Sequence, residues 1–299
     1  MVNEKNDEFY INKTNLILKF YAFDWDDNIL FMPTTIIIRN NFGEEVGIET
    51  SEFAEYRSIL GKEDFEFKGH TIVGYLQNED GTIDFNGSFM NFRDIDDPTI
   101  FLKDTKKAIA EQSFGPSWED FIECLTTGAL FAIITARGHE SPIMRKSVEY
   151  IIDNCLTNNQ KQLMYNNLLK YRYLFNKNVN ADVFSSNNLS SNKLVKKYLG
   201  MCEYIGVSSP SRFDNTAALN PEKAKLEALL KFKSKVNKAV GNIGMKARIG
   251  FSDDDNKTVK AIEDLFSELD HEEFPNIIGW FVKNTNDPNN ITKKVTERE

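Results

Sequence analysis

Residues 16–23 (LILKFYAF) form an apolar run, interrupted only by Lys19, that breaks off at Asp24-Trp25-Asp26-Asp27-Asn28. A run this short, rich in aliphatic and aromatic side chains and closed by turn formers, predicts a buried strand that delivers carboxylates at its C-terminal end. The pattern recurs. Residues 129–134 run apolar into Thr135, residues 247–251 run into Ser252-Asp253-Asp254-Asp255, and residues 204–207 and 277–282 read as two further strands.

Helical spacing fills the intervals. Trp118, Phe121, Ile122 and Leu125 recur every three or four residues, with Pro116 suited to the first turn and Gly128 to the stop. Ser141-Pro142 reads as N-cap and first-turn proline of a helix carrying Val148, Ile151, Ile152 and Cys155. Further helices are expected over 160–173, from Asn220-Pro221 through Leu226, Leu229 and Leu230, and along Val259, Ile262, Phe266 and Leu269. Lys231, Lys233, Lys235 and Lys238 read as a solvated helix face, the Asn/Ser-rich stretch 176–192 as a loop, and the tail from Asn284 as frayed. Strands alternating with helices in this way predict an α/β fold with a Rossmann-like, doubly wound, mainly parallel sheet covered on both faces.

Residues 33–97 have a different texture. Short strand-like runs at 35–39, 71–76, 82–85 and 88–92, with Asn86-Gly87 as a hairpin turn between the last two, predict a β-rich insertion. The expected organisation is therefore a core of residues 1–32 and 98–299 interrupted by an inserted unit at 33–97.

Composition excludes several functions. With 36 basic and 45 acidic residues the formal charge is −9, which argues against affinity drawn from bulk attraction to nucleic-acid phosphates. Cys124, Cys155 and Cys202 are odd in number and widely spaced, so neither a disulfide framework nor a thiolate zinc site is expected, and a reducing, cytoplasmic setting fits. His70, His139 and His271 are too scattered for a histidine metal centre. No apolar run approaches the ~20 residues that cross a bilayer, and residues 1–15 are polar.

If the strands ending at Asp24, Thr135 and Asp253 are neighbours in a parallel sheet, their C-terminal ends converge on one cleft. Asp24, Asp26, Asp253, Asp254 and the Thr135 hydroxyl then meet, and such a cluster needs a cation. Oxygen ligands without imidazole or thiolate select Mg²⁺. Taken singly, each feature has a plainer explanation: acidic turns cap helices, and lysines at helix starts are usually solvated. Their order along the chain is what makes them a set.

That order resembles the haloacid dehalogenase (HAD) superfamily of phosphohydrolases. The matching segments are Phe23-Asp24-Trp25-Asp26-Asp27-Asn28, Ile133-Ile134-Thr135-Ala136-Arg137-Gly138, Pro221-Glu222-Lys223-Ala224-Lys225 and Gly250-Phe251-Ser252-Asp253-Asp254-Asp255. The resemblance implies a Mg²⁺-dependent phosphatase in which Asp24 is the nucleophile and Asp26 the general acid and then base. Mg²⁺ would be held by Asp24, the backbone carbonyl of Asp26 and Asp253, with Asp254 as another ligand or as a group that orients the ligands. Thr135 would donate to a phosphoryl oxygen, and Lys225, or Lys223, would offset charge. Asn28 and Arg137 are the candidates for substrate contact, with pairing to a local carboxylate an equal alternative for Arg137, and the insertion lies where this superfamily places a cap.

Two departures stand out: Asp27 and Asn28 occupy positions where Gly and Thr are usual in the family, and Asp255 adds a third successive carboxylate, leaving open which two face a metal. Because Asp26 can protonate a departing alkoxide, a phosphomonoester is favoured over a haloacid as substrate. Phosphotransfer on the same site, or a non-catalytic binding protein on this fold, are the alternatives. A small phosphorylated molecule is the expected partner, with a polynucleotide end left open.

Overall fold

The computed structural model describes residues 17–56, 59–74, 80, 89–92, 97, 99–175, 191–209, 221–268, 273–289 and 292–297. The elements in chain order are β1 (Ile17–Phe23), β2 (Thr35–Arg39), β3 (Glu45–Glu49), α1 (Thr50–Tyr56), β4 (Phe65–Phe67), β5 (His70–Ile72) and β6 (Phe89–Phe92). They continue with α2 (Ile100–Ala110), α3 (Trp118–Thr127), β7 (Phe131–Thr135), α4 (Ser141–Asn154), α5 (Asn158–Phe175), α6 (Ser191–Met201) and β8 (Glu203–Gly206). The last are α7 (Pro221–Asn242), β9 (Lys246–Asp253), α8 (Asn256–Glu268), β10 (Ile277–Asn284) and β11 (Thr292–Glu297).

The main sheet has six strands in the order β11-β10-β9-β1-β7-β8, parallel throughout except for β11. Alternation along each strand divides the core. Phe23, Phe131, Ile133 and Tyr204 face a layer built with α2 to α6, while Leu18, Phe20, Ala22, Ala132, Ile134 and Ile205 face α7 and α8. This is an α/β architecture with helices on both faces of a mainly parallel sheet. The chain leaves β1 toward β7 and β8, then returns across the sheet to β9 on the other side of β1. The strand order thus reverses at β1, and the crevice beyond its C-terminal end is the place where open α/β sheets bind ligands.

The segment between β1 and α2 has a small core of its own. Strands β3-β2-β6 form an antiparallel sheet, and Ile36, Ile38, Val46, Ile48, Leu60, Phe67 and Ile72 pack together. It also holds the helix α1, which its β-like texture did not announce. The hairpin expected at Asn86-Gly87 lies outside the described residues. A two-residue hairpin does occur at Lys68-Gly69 between β4 and β5, where φ values of 50° and 81° give both turn residues the left-handed backbone that the strand twist favours.

Several local expectations need correcting. The tail is not frayed over its described residues: β10 extends to Asn284, and residues 292–297 add an antiparallel edge strand. Its polar sequence misled because an edge strand needs little burial; Lys293 pairs with Glu263 and Arg248 with Glu297. Lys233 is not solvated. It lies one turn beyond Leu229 on the buried face of α7, with its ammonium 3.6 Å from the Phe274 ring centroid and 4.9 Å from that of Trp280. Glu140, not Ser141, is the N-cap of α4; the Ser141 hydroxyl donates to the Tyr204 carbonyl instead. Pro116 precedes α3 rather than entering it, whereas Gly128 closes that helix at φ 69° as expected. Most of the Asn/Ser-rich stretch 176–192 lies outside the described residues, but α6 already begins at Ser191.

The three cysteines are free, and burial pushes the Cys202 thiol up to about 12. Among the described residues no helix is long and apolar enough to cross a membrane.

Candidate active site

The site grows directly out of the sheet. The ladder between β1 and β9 runs on past Phe23, because the Asp24 N–H donates to the Ser252 carbonyl at 2.9 Å. Asp24 is thereby brought to the C-terminal end of β9, where Asp253 closes that strand. The turn after Asp24 is tight: the N–H groups of Ile29 and Leu30 both donate to the Trp25 carbonyl, and Asp27 adopts φ 54°. Trp25 is fully buried against Phe101 and Phe121. With that ring locked in the core, the flanking Asp24 and Asp26 are directed away from it.

Asn28 was expected to contact substrate. In the structure its side chain is 0% exposed and acts as a tie between strands. Its amide nitrogen lies 2.9 Å from the Asp24 carbonyl, 3.2 Å from the Ser252 carbonyl and 3.0 Å from Ser252 Oγ, while its oxygen accepts from the Thr285 hydroxyl at 3.0 Å. Asn28→Ala would strand several of these buried groups, and an expected loss of about 2 to 4 kcal/mol in folding stability is measurable by urea denaturation. An unchanged midpoint would show that the tie contributes nothing.

Asp24, Asp253 and Asp254 each offer a carboxylate oxygen, all within 4.8 Å of one another. Lys225, on the buried face of the first turns of α7, donates to Asp24 Oδ2 at 2.9 Å and to Asp253 Oδ2 at 2.8 Å. Lys223 is exposed, so of the two lysines at this helix start it is Lys225 that enters the cluster. The three successive aspartates after β9 also separate. The Asp255 carboxylate accepts from the Lys257 N–H and the Thr258 hydroxyl at the start of α8, an N-capping arrangement, and leaves Asp253 and Asp254 to the cluster.

Three carboxylates against one ammonium leave a negative excess when all are ionised. The carboxyl pKa values respond. Burial, only partly offset by Lys225, pushes Asp24 up to about 7; burial likewise raises Asp253 to about 6 and Asp254 to about 7, with the neighbouring carboxylates adding to the rise. For Lys225 burial works against the charge, but Asp24 and Asp253 outweigh it and hold the ammonium above the usual lysine range. Asp24 Oδ1 is buried and has no hydrogen-bond partner among the described residues. An unpartnered buried carboxylate oxygen beside two further carboxylates, all short of positive charge, is a donor set that fits a hard divalent cation.

Asp26 stands apart from this cluster. Its carboxylate, 16% exposed, accepts from Arg137 Nε at 2.7 Å and Nη2 at 2.5 Å, with Thr135 Oγ1 at 3.4 Å. Arg137 itself is buried, its guanidinium 5.1 Å from the Phe101 ring centroid and also donating to Thr34 Oγ1 at 2.6 Å. The loop carrying Thr135 and Arg137 is pinned to β8, since Val207 N–H donates to the Thr135 carbonyl and Ser208 N–H to the Arg137 carbonyl. Gly206 permits this approach: a Cβ there would sit 2.5 Å from the His139 carbonyl oxygen.

The residues singled out from the sequence are thus gathered at one sheet end: Asp24, Asp253, Asp254 and Lys225 in one group, Asp26, Thr135 and Arg137 beside it, and Asn28 beneath. Sequence reasoning passed over Thr34, Asp104 and Thr285, and gave Ser252 no role of its own. Thr34 is 103 positions from Arg137, and nothing in its local pattern marks it. No family model matches the chain, and no curated protein or solved structure is found to be similar to it.

Proposed function

We propose that this protein is a HAD-type phosphatase that hydrolyses a phosphomonoester through an aspartyl-phosphate on Asp24 and uses Mg²⁺. The observation that carries the reading is the state of Asp24 at the point where the strand order reverses: one carboxylate oxygen is bound by Lys225, and the other is buried and unpartnered beside Asp253 and Asp254.

In this reading the free oxygen of Asp24 attacks phosphorus. A P–O bond to Asp24 forms as the bond to the leaving oxygen breaks, and that oxygen takes a proton from Asp26. Water then attacks the phosphorus of the acyl phosphate, gives its proton to Asp26, and releases inorganic phosphate and the Asp24 carboxylate. Lys225 holds Asp24 in place and offsets charge gathering on the phosphoryl oxygens. The Thr135 hydroxyl donates to one of those oxygens. Mg²⁺, held by Asp24, Asp253, Asp254 and the backbone carbonyl of Asp26, would supply further positive charge beside the phosphoryl group. The segment 33–97 serves as a cap selecting the substrate, a small phosphorylated molecule, and the free thiols suit a reducing compartment such as the cytoplasm.

Phosphate release measured across a panel of phosphomonoesters, with Mg²⁺ and with EDTA, tests the proposal. Turnover on at least one ester that falls by about a hundredfold or more on chelation is expected. Absence of metal-dependent release across the panel would favour a binding protein on the same fold.

A further inference from the structure

We propose that Arg137 is a positioning residue for Asp26, and that it acts on leaving-group protonation rather than on phosphate binding. This rests on the phosphatase reading and adds to it a role that the proton-transfer step requires. A general acid must be held in one orientation toward the oxygen it protonates, and a short aspartate on a turn has rotamer freedom to lose. In this structure the Asp26 carboxylate is clamped through two nitrogens of one guanidinium, the fork geometry that fixes both the distance and the plane of a carboxylate.

The clamp is itself anchored. Arg137 is 0% exposed and lies against Phe101, so its guanidinium does not open onto the cleft where a substrate phosphate would sit. Nη2 also donates to Thr34 Oγ1, and the Thr34 hydroxyl donates to Asp104 Oδ2 at 2.7 Å. A chain of contacts therefore runs from Asp104 on α2 through Thr34, which stands at the entrance to the inserted segment, to Arg137 and Asp26. The loop hydrogen bonds to β8 fix the backbone from which Arg137 reaches. A guanidinium built to grip phosphate turns its donors toward substrate, whereas here Nε and Nη2 are turned to Asp26 and Thr34.

The two roles separate in kinetics. An alkyl phosphate needs its departing alkoxide protonated, whereas p-nitrophenyl phosphate expels a stabilised phenolate that needs little help. Turnover with Mg²⁺ is therefore measured on both substrates for the wild type, Arg137→Lys, Arg137→Met and Thr34→Val, with thermal melting to confirm that each variant is folded. The expected result for the arginine variants is a loss of kcat of about 30- to 100-fold on the alkyl ester against less than about fivefold on p-nitrophenyl phosphate, with KM held within about twofold. Thr34→Val, which leaves the clamp in place and removes one anchor, should show the same selectivity with about a threefold loss on the alkyl ester. Adding Arg137→Met to Asp26→Asn should cost nothing further, because both act on one step.

Equal losses on the two esters, or a raised KM with kcat unchanged, would overturn the role of Arg137 while leaving the phosphatase reading intact. A wild type that turns over neither ester, nor any other in the panel, would overturn both.

Discussion

Asp24→Asn is expected to lower turnover by about a thousandfold or more while leaving substrate affinity within a few-fold. The substitution keeps shape and volume but removes the charged oxygen that forms the bond to phosphorus. The remaining groups can still bind a phosphoryl ester, so the loss should fall on kcat. Intact mass of acid-quenched wild-type enzyme should show a phosphoryl adduct that the variant lacks. A variant that retains about a tenth or more of the wild-type rate would remove Asp24 as nucleophile. The same change should make the metal-free protein more stable at pH 8, because it relieves a buried site with more negative than positive charge. Loss of activity together with a raised melting temperature would distinguish chemistry from misfolding.

Lys225→Met should have the largest effect on stability. Lys225 is 4% exposed and bonds to both Asp24 and Asp253, so its removal leaves buried carboxylates without their cation, at a cost of about 3 to 5 kcal/mol. This cost depends on pH with a defined sign. The folded-state pKa values of Asp24, Asp253 and Asp254 already stand at about 7, 6 and 7, above the ordinary 3.8 of an aspartate in the open chain. Between about pH 4 and 7 the folded protein therefore holds more protons than the unfolded chain, and stability falls as pH rises through that window. Without Lys225 the pKa values climb further, so the deficit relative to wild type should be greatest near pH 8 and shrink toward pH 5. Urea unfolding in EDTA across that range measures it. A deficit independent of pH would mean that Lys225 contributes through packing alone.

The strands were readable because burial leaves a local mark. Residues 16–23, 129–134 and 247–251 are apolar runs of strand length, and the strands β1, β7 and β9 that they mark lie in the sheet centre, where both faces are covered. The edge strand Thr292–Glu297 carries no such mark, since one side of it meets solvent and its ladder uses backbone groups that every residue has. Lys233 was misjudged for a related reason: charge suggested water, but helical phase placed the residue on the inner face of α7 beside Leu229 and Val236, where two aromatic rings receive its ammonium.

The site divides in the same way. Asp24, Asp26, Thr135 and Asp253 could be picked out because each follows a buried strand, and parallel strands bring their C-terminal ends together whatever the loops do. That much the amino-acid order determined alone. Which acids share a cation, that Asp255 caps a helix, that Lys225 and not Lys223 reaches the cluster, and that Arg137 is turned to Asp26 were decided only by the tertiary structure. These outcomes depend on helix phase, on the pairing of β1 with β9, and on contacts between residues as distant as Thr34 and Arg137, for which no local signal exists. Local pattern specifies which side chains leave a strand end; the packing of layers against one another specifies which of them meet.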